Sequence, residues 1–162
     1  MRSLRYAYLL AMAVWLGGMV AVGAVVAPAL FQTLQAVAPA DGRAFAGEAF
    51  KAILSRFHLV AYGCGAVAAA SLVAMALLGP RPRQFGVRVA IVLAMLGIAV
   101  YSGLWVLTEI DSIQAIVGTL PSRLPAADPR RVRFDALHQL ATRLMMLNIV
   151  GALGLLWWDA TD

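Results

Sequence analysis

Charge is absent from four long stretches of this chain: 6–40, 57–80, 89–108 and 144–158 contain no Asp, Glu, Lys or Arg. Their lengths are 35, 24, 20 and 15 residues. A helix needs roughly 20 mostly apolar residues to cross the hydrocarbon of a bilayer, so three stretches suffice and the fourth falls about a turn short. Backbone polar groups in lipid must be bonded within their own segment, which favours helices for spans this long. Composition agrees. The chain is 62% hydrophobic and 13% charged, against about 25% charged in an ordinary soluble domain. A soluble enzyme is excluded, because a globule of 162 residues would carry its apolar excess on the outside. The expected fold is all-α: one integral membrane four-helix bundle, with spans at about 6–31, 57–78, 87–107 and 139–158.

The ends of these helices have local causes. The apolar run from Tyr6 to Phe31 exceeds the 7–15 residues or so of a secretory h-region, so it reads as a retained first span. Pro28 near its exit should kink the last turn. Asp41 is a good N-cap for the second helix. The early part of that helix aligns Phe45, Ala49, Ile53 and Phe57 on one stripe, with Glu48 and Lys51 able to pair on the polar side. Gly79-Pro80 is a stop signal. The third helix should run on outside the bilayer to Val117, and the second and fourth are likewise extended on that side. Asp128-Pro129 reads as N-cap and first-turn proline of the last helix.

Charge placement bears on partners and orientation. The net charge of +5 does not form a phosphate-binding face, so no nucleic-acid partner is expected. The partners expected are the lipid bilayer and a membrane protein or a second copy of the chain. Arg2 and Arg5, and Arg81, Arg83 and Arg88, flank spans without any acid, while the other side holds eight basic and six acidic residues. Positive charge close to span ends sets orientation, which puts both termini in the cytoplasm and Trp157 and Trp158 in the cytoplasmic aromatic belt. Twelve arginines against one lysine, with abundant alanine, suggest a GC-rich bacterial genome and hence the bacterial cytoplasmic membrane. The single cysteine, Cys64, lies within a span and reads as a packing residue.

Depth arithmetic defines a polar layer. At 1.5 Å per residue, His58, Glu109 and His138 each lie about 30 Å from the cytoplasmic end of their helix, and Pro28 reaches a similar level. Tyr62 stands one turn below His58. On the last helix Phe134, His138, Ala141, Met145, Asn148 and Ala152 form one stripe, and on the second His58, Tyr62, Gly65, Ala69, Leu72 and Ala76 do so. Gly17 with Ala21, and Gly23 with Ala27, offer close-packing positions, and an intramembrane Asn148 should bond across helices. Arg143, inside the last span, needs a partner, for which Glu109 or Asp111 is placed. The two histidines read first as hydrogen-bonded residues at the interface and are expected to approach each other. The functional alternative is a site for copper or haem built on His58, His138 and Glu109. No nucleophile–base motif or phosphate loop appears, so the expectation is a non-enzymatic protein with no cofactor and a structural, partner-binding or small-solute role.

Three segments carry a family resemblance: WLGGMVAVGAVVAPALFQTL in 15–34, ADGRAFAGEAF in 40–50 and RFDALHQLATRLMMLN in 133–148. They resemble the bacterial branch of the transmembrane-protein-205-like family, domain of unknown function 4149. The resemblance implies four spans and points to Trp15, Gly17, Gly18, Pro28, Phe31, Phe134, His138 and Asn148. Ala141 stands where some members carry serine. A more distant similarity to copper-resistance membrane proteins of the CopD type implies metal handling as the alternative.

Overall fold

The structure, a computed structural model, describes residues 2–79, 84–118 and 120–161. Pro80, Arg81 and Arg83, which carry part of the helix-stop and orientation arguments, lie outside the described residues. Four helices account for nearly all the rest: α1, Arg2–Val37; α2, Gly42–Leu78; α3, Phe85–Val117; and α4, Pro129–Thr161. Each is long and apolar enough to cross a bilayer. The protein is a multi-pass, all-α membrane bundle. Sequential helices pack side by side and α4 closes the ring on α1, the up-down-up-down arrangement.

α1 does not stop near Pro28. It passes through a wide π segment, Ala21–Val26, where the Ala27 N–H bonds to the Val22 carbonyl five residues back. Proline has no N–H, and its ring crowds the carbonyl four residues before it. The wide turn takes up that misfit, and α geometry resumes to Val37. The first helix therefore outruns the expected span by a turn and a half. α3 contains a second π segment, Ser102–Val106.

The turn between α1 and α2 is tight. The Gly42 N–H donates to the Ala38 carbonyl at 2.6 Å, and a Cβ at Gly42 would run into the Leu34 carbonyl oxygen. Asp41 precedes α2 as expected, but only its backbone carbonyl serves the helix, accepting from Ala44 at 2.8 Å; its side chain makes no cap. Asp128 does cap. Its Oδ1 accepts the Arg130 N–H at 2.9 Å, ahead of Pro129 at the first helical position.

In lipid, apolar side chains gain little by leaving the solvent, so close packing holds helices together. Tyr8, Met12, Trp15 and Met19 of α1 fill the centre against small partners on the other helices: Ala61 and Ala68, Ala99, and Ala152. Toward the loop end a second cluster joins Val106, Ile110 and Ile113 of α3 to Leu137 of α4. At some positions the buried faces differ from those expected. Ala46 is buried while Phe45 is exposed, and Leu137 is 3% exposed while His138 faces outward. Gly17 and Ala21 also face away from the bundle. The stripes of α2 and α4 otherwise face inward as expected: Gly65, Leu72, Asn148 and Ala152 are buried and Phe134, Ala141 and Met145 half-buried, so the departure on α4 is confined to its outer end at His138.

Candidate functional site

The end of the bundle where α1 meets α2 and α3 meets α4 carries an open cavity of about 460 Å³. Gln35 reaches it from the end of α1, Pro39 and Ala40 from the following turn, and Arg43 from the start of α2. Leu120, Ser122 and Arg123 come from the connection before α4, and Arg131 and Asp135 from the first turns of α4. The short 3-10 turn Pro121–Arg123 fixes the arginine: its guanidinium donates to the Ala40 carbonyl and stands 3.8 Å from Asp41. Arg131 donates to the Leu124 carbonyl at 2.7 Å and lies 3.8 Å from Asp135. Just outside, Arg130 hydrogen-bonds Asp128 and holds its carboxyl below the usual aspartate range, while Asp128 raises Arg130 in turn.

The cavity's height follows from an ion pair. Arg133 reaches Glu109 at 3.6 Å, and Glu109 is the first charged residue above the charge-free stretch 89–108 of α3. The first turns of α4 therefore stand just above the apolar layer. Arg133 also lies 6.0 Å from the Trp105 ring, which stacks on Tyr101 at 5.2 Å. At the other end Tyr6 and Trp157 are exposed. Aromatic rings thus mark both edges of the span.

The predicted polar layer is dispersed. His58 is half-buried on α2, with its Nδ1–H donating to the Leu54 carbonyl at 2.8 Å and its ring 6.0 Å from Tyr62. Both side chains lie against Gly103 in the π segment of α3, where a Cβ would strike the Tyr62 hydroxyl and the His58 ring. His138 is exposed and stacks on Phe134 at 5.6 Å. The two histidine rings make no contact with each other. Among the described residues no group of three His, Cys, Asp or Glu side chains is arranged to hold a metal ion.

Charge pairing also differs from expectation. Glu109 takes Arg133, Asp111 takes Lys51 at 3.0 Å, and Glu48 is not the partner of Lys51. Arg143 is exposed and pairs with neither acid. It lies ten residues below Arg133 on α4, about 15 Å down the axis, so nearer arginine and lysine side chains reach the acids first. Of the remaining motif positions, Trp15 is in the core, Gly18 lies under the Phe57 ring, and Phe31 meets Phe50 edge-on at 6.2 Å. Asn148 is buried and donates to the Met95 carbonyl on α3 at 3.3 Å.

Sequence reasoning missed the opposite end. There Arg88 Nη1 donates to Asp159 Oδ1 at 2.9 Å, and Arg5 donates to the Asp159 carbonyl at 2.8 Å. Tyr8 is fully buried beside this pair, with its hydroxyl next to the Asp159 carboxylate. α1, α3 and α4 are thereby joined. A signal was present: Asp159 directly follows Trp157-Trp158 at the end of a charge-free stretch, at the same depth as Arg88. The depth arithmetic that grouped the histidines applied equally to this end.

Fold and polar ends together define a small multi-pass membrane protein with a buried ion pair at one end and an open, charged cavity at the other. The chain belongs to the family described as Domain of unknown function (DUF4149), whose model matches residues 10–117. The match ends at Val117, so α4, with Phe134, His138 and Asn148, lies beyond it. No curated protein and no solved structure matches the chain.

Proposed function

We propose that this chain is a non-enzymatic protein of the bacterial cytoplasmic membrane, both termini cytoplasmic, that binds a small solute on its outer face without a resident cofactor. The observation that carries this reading is the open cavity of about 460 Å³ placed just above the apolar layer. Its volume suits a small molecule. Arg2, Arg5 and Arg88 at the end with the buried ion pair favour the cytoplasmic placement of that end. The resemblance of 15–34, 40–50 and 133–148 to bacterial transmembrane-protein-205-like proteins favours the same four-span reading.

Cysteine labelling tests it. Ser122→Cys, in a Cys64→Ala background, should react with a membrane-impermeant maleimide in spheroplasts and not in inverted vesicles. Reaction only in inverted vesicles would overturn the orientation. No reaction from either side would show the cavity closed to solutes and overturn the binding role.

A further inference from the structure

We propose that the loop-end cavity is a site for a phosphate-bearing anion, either a soluble phosphomonoester or the phosphodiester of an anionic lipid headgroup, held by Arg43, Arg123 and Arg131. The proposal rests on the reading of this cavity as a solute site. Three guanidinium groups from three separate elements line one space, and Asp135 is the only acid among the described lining residues. The balance is two positive charges, enough to hold a phosphomonoester dianion or a phosphodiester monoanion.

Two of the arginines are positioned rather than consumed. Arg123 and Arg131 are held by backbone carbonyls, and their nearest carboxylates stand back at 3.8 Å. A guanidinium has five N–H groups, so each retains donors. Arg43 makes no hydrogen bond or ion pair with any described residue. A cation set in a cavity beside two others, with no counter-charge of its own, gains from an anionic ligand.

The number of donors favours phosphate. A planar carboxylate is satisfied by one guanidinium fork. Arginines from three separate elements offer more donors than one carboxylate uses, which matches the several oxygens of a phosphate. Ser122 and Gln35 add neutral donors to the same wall. The cavity stands just above the apolar layer, so it can be reached both from solution and from the headgroup region. Both sources share the chemistry.

The test uses the full-length protein, first in detergent and then in nanodiscs. Glycerol 3-phosphate or inorganic phosphate should raise the melting temperature more than succinate does at equal charge and ionic strength. Native mass spectrometry should alternatively show phosphatidylglycerol retained over phosphatidylcholine. The first result assigns a soluble ligand and the second a lipid. Arg43→Ala should weaken the binding roughly tenfold or more with an unchanged melt in the absence of ligand, and Arg43→Lys should recover part of it. If succinate binds as well as phosphate and Arg43→Ala abolishes both, the phosphate inference fails while the solute site stands. If no probe binds although the Ser122→Cys variant labels from outside, the inference fails and the topology stands. Binding untouched by Arg43→Ala would overturn the site itself.

Discussion

Two ion pairs of nearly equal length sit at opposite ends of this bundle. Arg88–Asp159 measures 2.9 Å and its side chains are 5% and 7% exposed; Lys51–Asp111 measures 3.0 Å and its side chains are 44% and 35% exposed. Distance makes them equivalent, but burial separates them. A charge taken out of water needs its partner, so breaking a buried pair costs about 3–5 kcal/mol. An exposed pair trades one well-solvated state for another and contributes about 0.2–1 kcal/mol. One end is therefore tied together by a pair that water does not reach, and the other keeps its paired charges in contact with solvent.

The sharpest test of that contrast is Asp159→Leu. It takes a buried carboxylate away from Arg88 and should lower stability by up to about 3–5 kcal/mol, read as a fall in the detergent melting temperature. Adding Arg88→Met should recover most of the loss, since apolar replacement of both partners is commonly neutral or better. A double variant as unstable as the single would show that Arg88 has another essential role. Next in size, Gly42→Ala should cost about 1–3 kcal/mol, because the Leu34 carbonyl blocks a Cβ. That would show the open end to be loose in its charges but tight in its backbone.

Lys51→Ala should cost less than about 1 kcal/mol, and the effect should shrink as salt is raised. A loss equal to that of Asp159→Leu would break the comparison outright. The smallest effect belongs to Asp128. Its folded carboxyl titrates below the ordinary value of 3.8, chiefly through the Arg130 side-chain hydrogen bond. The stabilisation is fully present above that ordinary value and is lost as pH falls through the lower folded one. Hydrogen exchange should show the first turn of α4 fraying only under that acid condition, with no change in the global melt.

The membrane fold was legible because charge-free length is a signal that lipid makes almost unavoidable. The boundaries at Gly42, Leu78, Val117 and Pro129 were legible from Asp, Gly and Pro. The inward faces of α2 and α4 were legible along Gly65, Leu72, Asn148 and Ala152, but the outer end of α4 was not. Leu137 and His138 are adjacent there, and either can lead the same stripe. Leu137 is the one that turns inward, which puts His138 outside the bundle and dissolves the expected histidine pair. Arg88 was read only as a topology signal, although a basic residue at a span end can do that and also be buried against an acid. The arginine-lined cavity is assembled from two stretches distant in sequence, 35–43 and 120–135. Spacing along one helix carries no trace of such a site.

The wide turn in α1 also makes its two halves separable. A π segment is an α-helix with one residue more than its turns require. Deleting a single residue within 21–26 would let that segment close into ordinary α geometry. Each residue turns an α-helix by about 100°, and the wide turn already absorbs that rotation for one residue. The shortened helix would keep Tyr8, Met12 and Trp15 on their side and Gln35 and Pro39 in the wall they share with Arg43. The same deletion outside 21–26 would swing everything beyond it by about 100°. The segment acts as a slip joint between two rods, the one place where the helix can lose a residue without re-aiming its outer rim.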